Sequence, residues 1–205
     1  PRGVKYGATK DYLLGLEVVL PSGEVIRTGG KTFKNVSGYD LTRLLCGSEG
    51  TLGIFTEIIV RLVPLAPAKV TLQAIFSDLD DAAKTVPAII GSGIVPTTLE
   101  LIDRVVLDVI RDYGGAAFSK EAEALLLIEV DGEEVSVEAQ GERIEKFCRE
   151  KGAIEVQRAT SPEEADKLWQ ARRSAFGAIA RVRPNCVVDD ATVPVKRLPD
   201  IIRKI

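Results

Sequence analysis

Three glycines in the N-terminal third of the chain stand three residues apart. Gly47, Gly50 and Gly53 lie in the segment YDLTRLLCGSEGTLGIFT, residues 39–56. Because glycine has no Cβ, it lets backbone N–H groups approach an anion or a flat ring closely. The spacing therefore predicts a loop that binds a phosphate or an adenine, in which Glu49 holds the loop or accepts a hydrogen bond from a ribose hydroxyl. A tight turn without any ligand is the alternative that the pattern alone leaves open.

A second candidate site is a pair of neighbouring arginines, Arg172 and Arg173, in the segment WQARRSAF, residues 169–176. Successive residues of a helix point about 100° apart, so we expect only one of the two to face a pocket. A planar guanidinium donates two parallel hydrogen bonds, which suits it to binding a carboxylate. The alternative is a solvent-facing pair that bridges acidic residues on a neighbouring turn. Trp169 is expected to lie in the core.

The remaining polar candidates carry weaker signals. Asp189 and Asp190 could form a paired-carboxylate site, but a pair at the edge of a predicted strand is more often a turn cap or a solvated strand end. Lys34 could reach a phosphate, although a loop lysine in solvent is the simpler interpretation. The chain contains no His. Acid–base or metal chemistry must therefore use other side chains or residues outside this chain.

Composition limits the class of protein. The 205 residues are 45% hydrophobic with a net charge of −3, and the scattered cations argue against a nucleic-acid partner. Neither a long apolar run nor a signal-peptide pattern occurs, so we expect no membrane span and a cytoplasmic location. Cys46, Cys148 and Cys186 are far apart, which predicts buried thiols and neither a disulfide framework nor a zinc site. The lack of Met and the start at Pro1 lead us to expect an internal piece of a longer protein.

The elements that would position these residues fall into two domains, residues 1–65 and 66–205, separated at the segment Pro64–Pro67. In the first domain, a turn signal at Pro21–Gly23 predicts a β-hairpin over residues 14–27. A polar loop, a short helix over residues 39–45 and a strand over residues 54–62 follow it.

In the second domain, short strands alternate with helices, which predicts an α+β layer of the ferredoxin-like kind whose helices cover one face of the sheet. A doubly wound sheet is the alternative, but no G-x-G-x-x-G follows a strand. Strands are predicted over residues 70–76, 97–101, 125–130, 154–157 and 187–193. Helices are predicted from Asp78, over residues 103–113 with closure at Gly114–Gly115, over residues 134–150, from Ser161 and from Leu198.

The string GSEGTLGI, preceded by KNVSGYDL, resembles the signature of the vanillyl-alcohol-oxidase-type FAD-binding family, also called FAD-linked oxidases. The similarity is greatest to the branch of glycolate oxidase D-subunits and FAD-linked D-lactate dehydrogenases. It extends to residues 4–7, 16–26, 168–176 and 190–194. It implies the C-terminal part of a PCMH-type FAD-binding domain followed by a truncated substrate domain, also called the cap domain.

The resemblance also implies site residues. The signature would contact the ADP portion of FAD, and Arg172 would bind a substrate carboxylate. The cofactor contacts carried over in this way are Gly47, Ser48, Glu49, Gly50, Thr51, Leu52, Gly53 and Ile54. No catalytic residue and no metal ligand is expected in this chain.

The function expected from the resemblance is that of a parent protein. The parent would oxidise a D-2-hydroxyacid such as glycolate or D-lactate with FAD, and could pass electrons to an acceptor subunit. The chain by itself, lacking the family's pyrophosphate loop and His-containing stretch, is expected to be inactive and without stoichiometric FAD. The alternatives are a non-redox flavin enzyme, an enzyme for alcohols that lack a carboxylate, and a non-catalytic α+β binding module.

Overall fold

The structure, a computed structural model, describes residues 2–114, 118–183 and 185–204. The chain forms two compact units. The small unit comprises Tyr6–Leu65, and the large unit comprises Ala66–Ile205 together with Pro1–Lys5. Each unit has its own β-sheet and its own buried apolar cluster.

The small unit is built on a three-stranded antiparallel sheet. Its strands are β1 (Leu13–Val19), β2 (Val25–Gly29) and β3 (Ile54–Val60), in the order β2-β1-β3. A single-turn helix, α1 (Gly3–Tyr6), and a 3₁₀ turn, Thr9–Asp11, precede the sheet. The sheet contains the predicted hairpin and the predicted third strand.

The residues of the hairpin turn between β1 and β2 favour the backbone conformation that the turn adopts. Proline fixes the φ angle that the second residue of a turn needs, and Pro21 stands there. Gly23 adopts a φ of 85°, a left-handed conformation that favours glycine. Its N–H donates to the carbonyl oxygen of Leu20 at 2.8 Å, and the N–H of Leu20 donates to that of Glu24 at 2.8 Å.

The core of the small unit lies where helix α2 (Leu41–Leu45) packs on β1. Alternate residues of a strand share a face, so Leu16 and Val18 both face Leu45 of the helix, and all three are buried. Asp40 caps α2 by accepting a hydrogen bond from the N–H of Arg43 at 3.0 Å. This cap and this contact fix the start of the chain segment that leads to the glycines.

The large unit contains a four-stranded antiparallel sheet. Its strands are β4 (Ala68–Phe76), β5 (Thr98–Asp103), β6 (Ala124–Gly132) and β7 (Ala153–Arg158), in the order β5-β6-β4-β7. With helices α3 (Leu79–Gly91) and α5 (Glu134–Glu150), this gives the βαββαβ topology of a ferredoxin-like layer. The predicted α+β fold is confirmed. The described part of the large unit also contains α4 (Arg104–Val109), which continues into a π-helical turn (Ile110–Gly114), and α6 (Pro162–Val182). A 3₁₀ turn (Val195–Arg197) leads into α7 (Leu198–Ile202).

Helices cover both faces of the large sheet. Alternate residues of β4 and β6 belong to different clusters: Phe76 and Leu126 pack with α3 and α5, whereas Ile75 packs with α4 and α6. The expectation of helices on one face is therefore correct for α3 and α5 and wrong for α4 and α6. The sequence pattern of the strands did not predict helices on the second face of the sheet. The burial of Leu125–Val130 on both faces requires such a layer of helices.

The predicted strand over residues 187–193 is wrong. The described residues 185–194 have neither helix nor strand, and Val187 and Val188 are exposed. A β-branched run becomes a strand only when a neighbouring strand pairs with its N–H and C=O groups, and none of the described strands does so. The predicted helix closure at Gly114–Gly115 falls partly outside the described residues.

Candidate functional site

The segment that follows α2, residues 46–53, is called here the glycine turn. Three of its residues have left-handed backbone: Gly47 at a φ of 89°, Glu49 at 50° and Gly50 at 82°. Glu49 is the one non-glycine residue with positive φ among those described. The turn is held by Thr51, whose N–H and hydroxyl both donate to the carbonyl oxygen of Ser48, at 2.9 and 2.6 Å.

The three glycines have different physical roles. A Cβ on Gly47 would meet no atom within 4 Å, and one on Gly50 only the Cδ1 of Ile54 at 4.0 Å. Left-handed φ, and not crowding within this chain, therefore favours glycine at both positions. Gly53 is buried, and a Cβ there would lie 2.6 Å from the Cγ1 of Val18. The missing side chain of Gly53 thus allows β3 to begin close against β1.

Unused hydrogen-bonding groups are concentrated in the glycine turn. The hydroxyl oxygen of Ser48 is buried and has no hydrogen-bond partner among the described residues. The N–H groups of Glu49 and Gly50 donate to no other residue in the described ranges. Leu52 and Ile54 beside them present exposed apolar side chains. Polar donors next to an apolar surface suit the phosphate or ribose oxygens and the flat base of a nucleotide.

Helix α6 carries the arginine pair and begins at a strong cap. The hydroxyl of Ser161 accepts from the N–H of Glu164 at 3.2 Å, and the Glu164 carboxylate accepts from the N–H of Thr160 at 2.8 Å. Pro162 occupies the first turn, where its missing N–H costs no helical hydrogen bond. This cap fixes the residue at which α6 begins, and the packing of Leu168 and Ala175 against the sheet sets which of its side chains face the sheet.

The two arginines have different surroundings. Arg172 lies on the sheet side of α6, where its Nε donates to the Glu100 carboxylate of β5. Arg173 points along the helix surface and donates to Asp166, from Nη1 to Oδ1 at 3.2 Å and from Nη2 to the carbonyl oxygen at 2.7 Å. Arg172 therefore lines a cleft, and Arg173 is tied to its own helix.

The cleft beside Arg172 has a volume of about 640 Å³. Its polar side chains are those of Arg172, Glu100 and Asp103, and the Asp103 carboxylate caps α4 by accepting from the N–H of Val106 at 3.1 Å. The other lining residues are apolar: Leu79, Leu101, Ile102, Val105, Val106, Ala175 and Ile202. Arg172 is the one cationic side chain among these lining residues, and a guanidinium beside an apolar surface suits a small ligand with one carboxylate.

Glu100 is the residue of this cleft that sequence analysis missed. It stands in the string TLELID, where an acid in an edge strand is easily assigned to solvent. Strand alternation places Glu100 on the face of Thr98 and Ile102, opposite Leu99 and Leu101. Helices α4 and α6 pack over the cluster that contains Ile102. The sequence signal for Glu100 was therefore an acidic residue two positions before Ile102, on the same face of the strand.

The other polar candidates lie away from the cleft. Asp189 and Asp190 are exposed in the irregular segment after α6, and Lys34 is exposed in the loop before α2. Trp169, expected in the core, is half-buried against it. Its Nε1 donates to the buried carboxylate of Glu129, to Oε2 at 3.2 Å.

The three cysteines are free thiols in three environments: Cys148 is buried, Cys46 half-buried and Cys186 exposed. Burial raises the pKa of the Cys148 thiol to about 12. The prediction of buried thiols is thus wrong for Cys186, which lies in the irregular segment after α6. Among the described residues, no cluster of three or more Cys, Asp or Glu side chains could hold a metal ion. None of the helices in the described ranges is long and apolar enough to cross a membrane.

Known proteins resemble the chain in both sequence and fold. The glycolate oxidase subunit GlcD of Bacillus subtilis is 51% identical over 204 residues, which are 100% of this chain and 43% of that protein. The mitochondrial D-lactate dehydrogenase [cytochrome] of Arabidopsis thaliana is 32% identical over 203 residues, 98% of this chain and 35% of that protein. The chain thus spans less than half the length of these relatives.

Among solved structures, an alkyldihydroxyacetonephosphate synthase matches 99% of this chain, and 41% of its own, with a TM-score of 0.70 at 19% identity. This match concerns the fold. The family model described as "FAD linked oxidases, C-terminal domain" matches residues 65–205, the part of the chain that contains the ferredoxin-like layer and Arg172. The resemblance seen in GSEGTLGI and WQARRSAF is therefore confirmed, and the chain belongs to the FAD-linked oxidases.

Proposed function

We propose that the parent of this chain oxidises a D-2-hydroxyacid, such as glycolate or D-lactate, to the corresponding 2-oxoacid. The observation that supports this function is the free edge of the Arg172 guanidinium in the cleft. Arg172 uses Nε toward Glu100, while Nη1 and Nη2 donate to no other described residue. Two adjacent N–H donors in one plane match the two oxygens of a carboxylate.

The glycine turn would bind the cofactor. The hydroxyl of Ser48 and the N–H groups of Glu49 and Gly50 are donors that fit the phosphate and ribose oxygens of the ADP portion of FAD. The exposed side chains of Leu52 and Ile54 suit contact with a flat base. Gly47, Thr51 and Gly53 would shape the turn around these contacts. When bound, FAD supplies the hydride acceptor for oxidation of the carbon that bears the hydroxyl.

The substrate side of the reaction is assigned to Arg172. Its guanidinium would hold the carboxylate of the 2-hydroxyacid, and the apolar residues of the cleft would contact the rest of the substrate. We assign no proton-accepting residue in this chain. Because one relative is named as a subunit and another as a cytochrome-linked dehydrogenase, we also propose a protein electron acceptor for the parent.

The full-length protein tests this function through its absorbance spectrum. Flavin absorbance near 450 nm is recorded while glycolate, both lactate enantiomers and matched alcohols without a carboxylate are added under anaerobic conditions. Bleaching by D-2-hydroxyacids supports the proposal. Bleaching by the alcohols alone, or by none of the compounds, contradicts it.

A further inference from the structure

The Glu100–Arg172 pair is asymmetric. The Glu100 side chain is 17% exposed and that of Arg172 is 41% exposed. Glu100 lies opposite the buried Leu127 in the β5–β6 register, within hydrogen-bond distance of Arg172 on helix α6. A carboxylate at such a position requires a charged or hydrogen-bonding partner, whereas the arginine keeps one side open to a ligand.

The nitrogen of Arg172 that bonds to Glu100 determines which N–H groups of the guanidinium remain available to a ligand. Glu100 accepts from Nε, the one guanidinium nitrogen that is part of the side-chain stem. Because the guanidinium is planar, a bond at Nε fixes the plane in which the two Nη groups lie. The edge formed by Nη1 and Nη2 then has a defined direction while its donors stay free.

A second polar link holds the same helix face independently. Trp169 precedes Arg172 by three residues and donates to Glu129, which stands two residues from Leu127 on β6. The Trp169–Glu129 bond and the apolar contact of Leu168 with the sheet fix the α6 backbone near Arg172. Loss of Glu100 should therefore release the guanidinium without moving the helix.

We propose that Glu100 is a positioning residue for Arg172, orienting the guanidinium so that its Nη1–Nη2 edge binds the carboxylate of the substrate. This inference rests on the proposed function, because it takes Arg172 as the carboxylate-binding group. Glu100 itself touches no substrate: it acts through Arg172. On this proposal Glu100 contributes orientation, so Glu100→Gln should preserve the function, because the amide oxygen of glutamine can still accept from Nε.

The test measures binding of oxalate, a non-reacting dicarboxylate, to the full-length FAD-loaded protein by calorimetry. Arg172→Ala should raise the Kd of oxalate about tenfold or more, and Glu100→Ala about tenfold. Glu100→Gln should keep the Kd within about threefold of the parent protein. In the Arg172→Ala background, Glu100→Ala should add no further loss, because a residue that acts through Arg172 has no effect without it.

The control is Asp166→Ala, which removes the partner of Arg173 on the same helix and should leave the Kd unchanged. If Glu100→Ala does not fold, Glu100→Asp replaces it, since the shorter side chain keeps the charge and loses reach to Nε. An additive loss in the double variant, or a Glu100→Gln loss as large as that of Glu100→Ala, overturns the positioning role. If Arg172→Ala itself leaves oxalate binding unchanged, the proposed function fails instead.

Discussion

Trp169 donates its indole N–H to the buried carboxylate of Glu129, with Nε1 and Oε2 3.2 Å apart. Glu129 is only 4% exposed, and it also accepts from the hydroxyl of Thr71 at 3.0 Å and lies 3.7 Å from the Nζ of Lys69. The Glu129 carboxylate, on a central strand of the large sheet, is thus surrounded by donors from two elements, β4 and α6. The contact joins the helix that carries Arg172 to strand β6.

Trp169→Phe should lower the free energy of unfolding by about 1.5 kcal/mol, because it removes a hydrogen bond to a charged group while keeping an aromatic ring in place. Urea unfolding followed by circular dichroism measures this loss. The control is Phe176→Leu on the same helix, an exposed position where we expect a change within about 0.5 kcal/mol. Equal stability of Trp169→Phe and the parent would mean that water replaces the indole N–H at no cost.

Gly50→Val and Gly53→Val should have different effects on FAD content and stability in the full-length protein. At Gly50 the side chain meets open space but forces a residue with a Cβ to a φ of 82°, which distorts the glycine turn and should lower the ratio of bound FAD to protein. At Gly53 the new side chain collides with Val18 and Val19, so the melting temperature should fall as well.

The matched control for Gly50 is Gly23→Val, since Gly23 has a φ of 85° and equally open surroundings but lies in the hairpin turn. It should carry a similar backbone strain and retain FAD. Equal FAD loss in the Gly23 and Gly50 variants would remove the support for cofactor contact at the glycine turn.

Arg172→Lys should lower kcat/KM for 2-hydroxyacids about tenfold to a hundredfold in the full-length protein. Lysine keeps the charge but loses the planar pair of donors, and a charge-assisted hydrogen bond contributes about 1.5–3 kcal/mol. Arg172→Ala should cost more, and the FAD content should stay normal in both. Steady-state kinetics with Arg173→Lys as the control checks this assignment. A larger loss in Arg173→Lys would mean that Arg173, and not Arg172, binds the substrate carboxylate.

Thiol reagents should distinguish the cysteines of the folded protein. The thiolate is the reactive form, and burial raises the pKa of Cys148 to about 12, so at pH 8 this group stays protonated and unreactive. Cys186 is exposed and should react within minutes, as peptide mass mapping after brief alkylation would show. Rapid alkylation of Cys148 at pH 8 without denaturant would contradict its burial in the native state.

Local chemistry decided which parts of the fold could be predicted. The Pro21–Gly23 turn and the caps at Asp78 and Ser161 act over a few residues, and each marks a boundary that the structure has. Helix α5 was predicted with both ends correct. The Val187–Val193 segment has the composition of a strand, but strand formation needs a partner that composition does not indicate.

The candidate site was predictable only in part for the same reason. Spacing on a helix identified Arg172 and Arg173 as residues that point in different directions. It could not identify Glu100, because that acid reaches Arg172 across more than seventy positions of the chain. Nor could it separate Gly53, which packs against β1, from Gly47 and Gly50, which serve the conformation of the turn.

The strand order of the large sheet also constrains how the protein is made. Strand β4 is the first of this sheet to leave the ribosome, yet its two neighbours, β6 and β7, are the last two strands of the sheet to be synthesised. Until β6 emerges, β4, a largely apolar strand, has unpaired N–H and C=O groups along both edges, and one edge stays unpaired until β7 emerges. A strand edge of the nascent chain is therefore open to aggregation until residues 153–158 emerge, and slow translation between β4 and β7 would prolong that exposure.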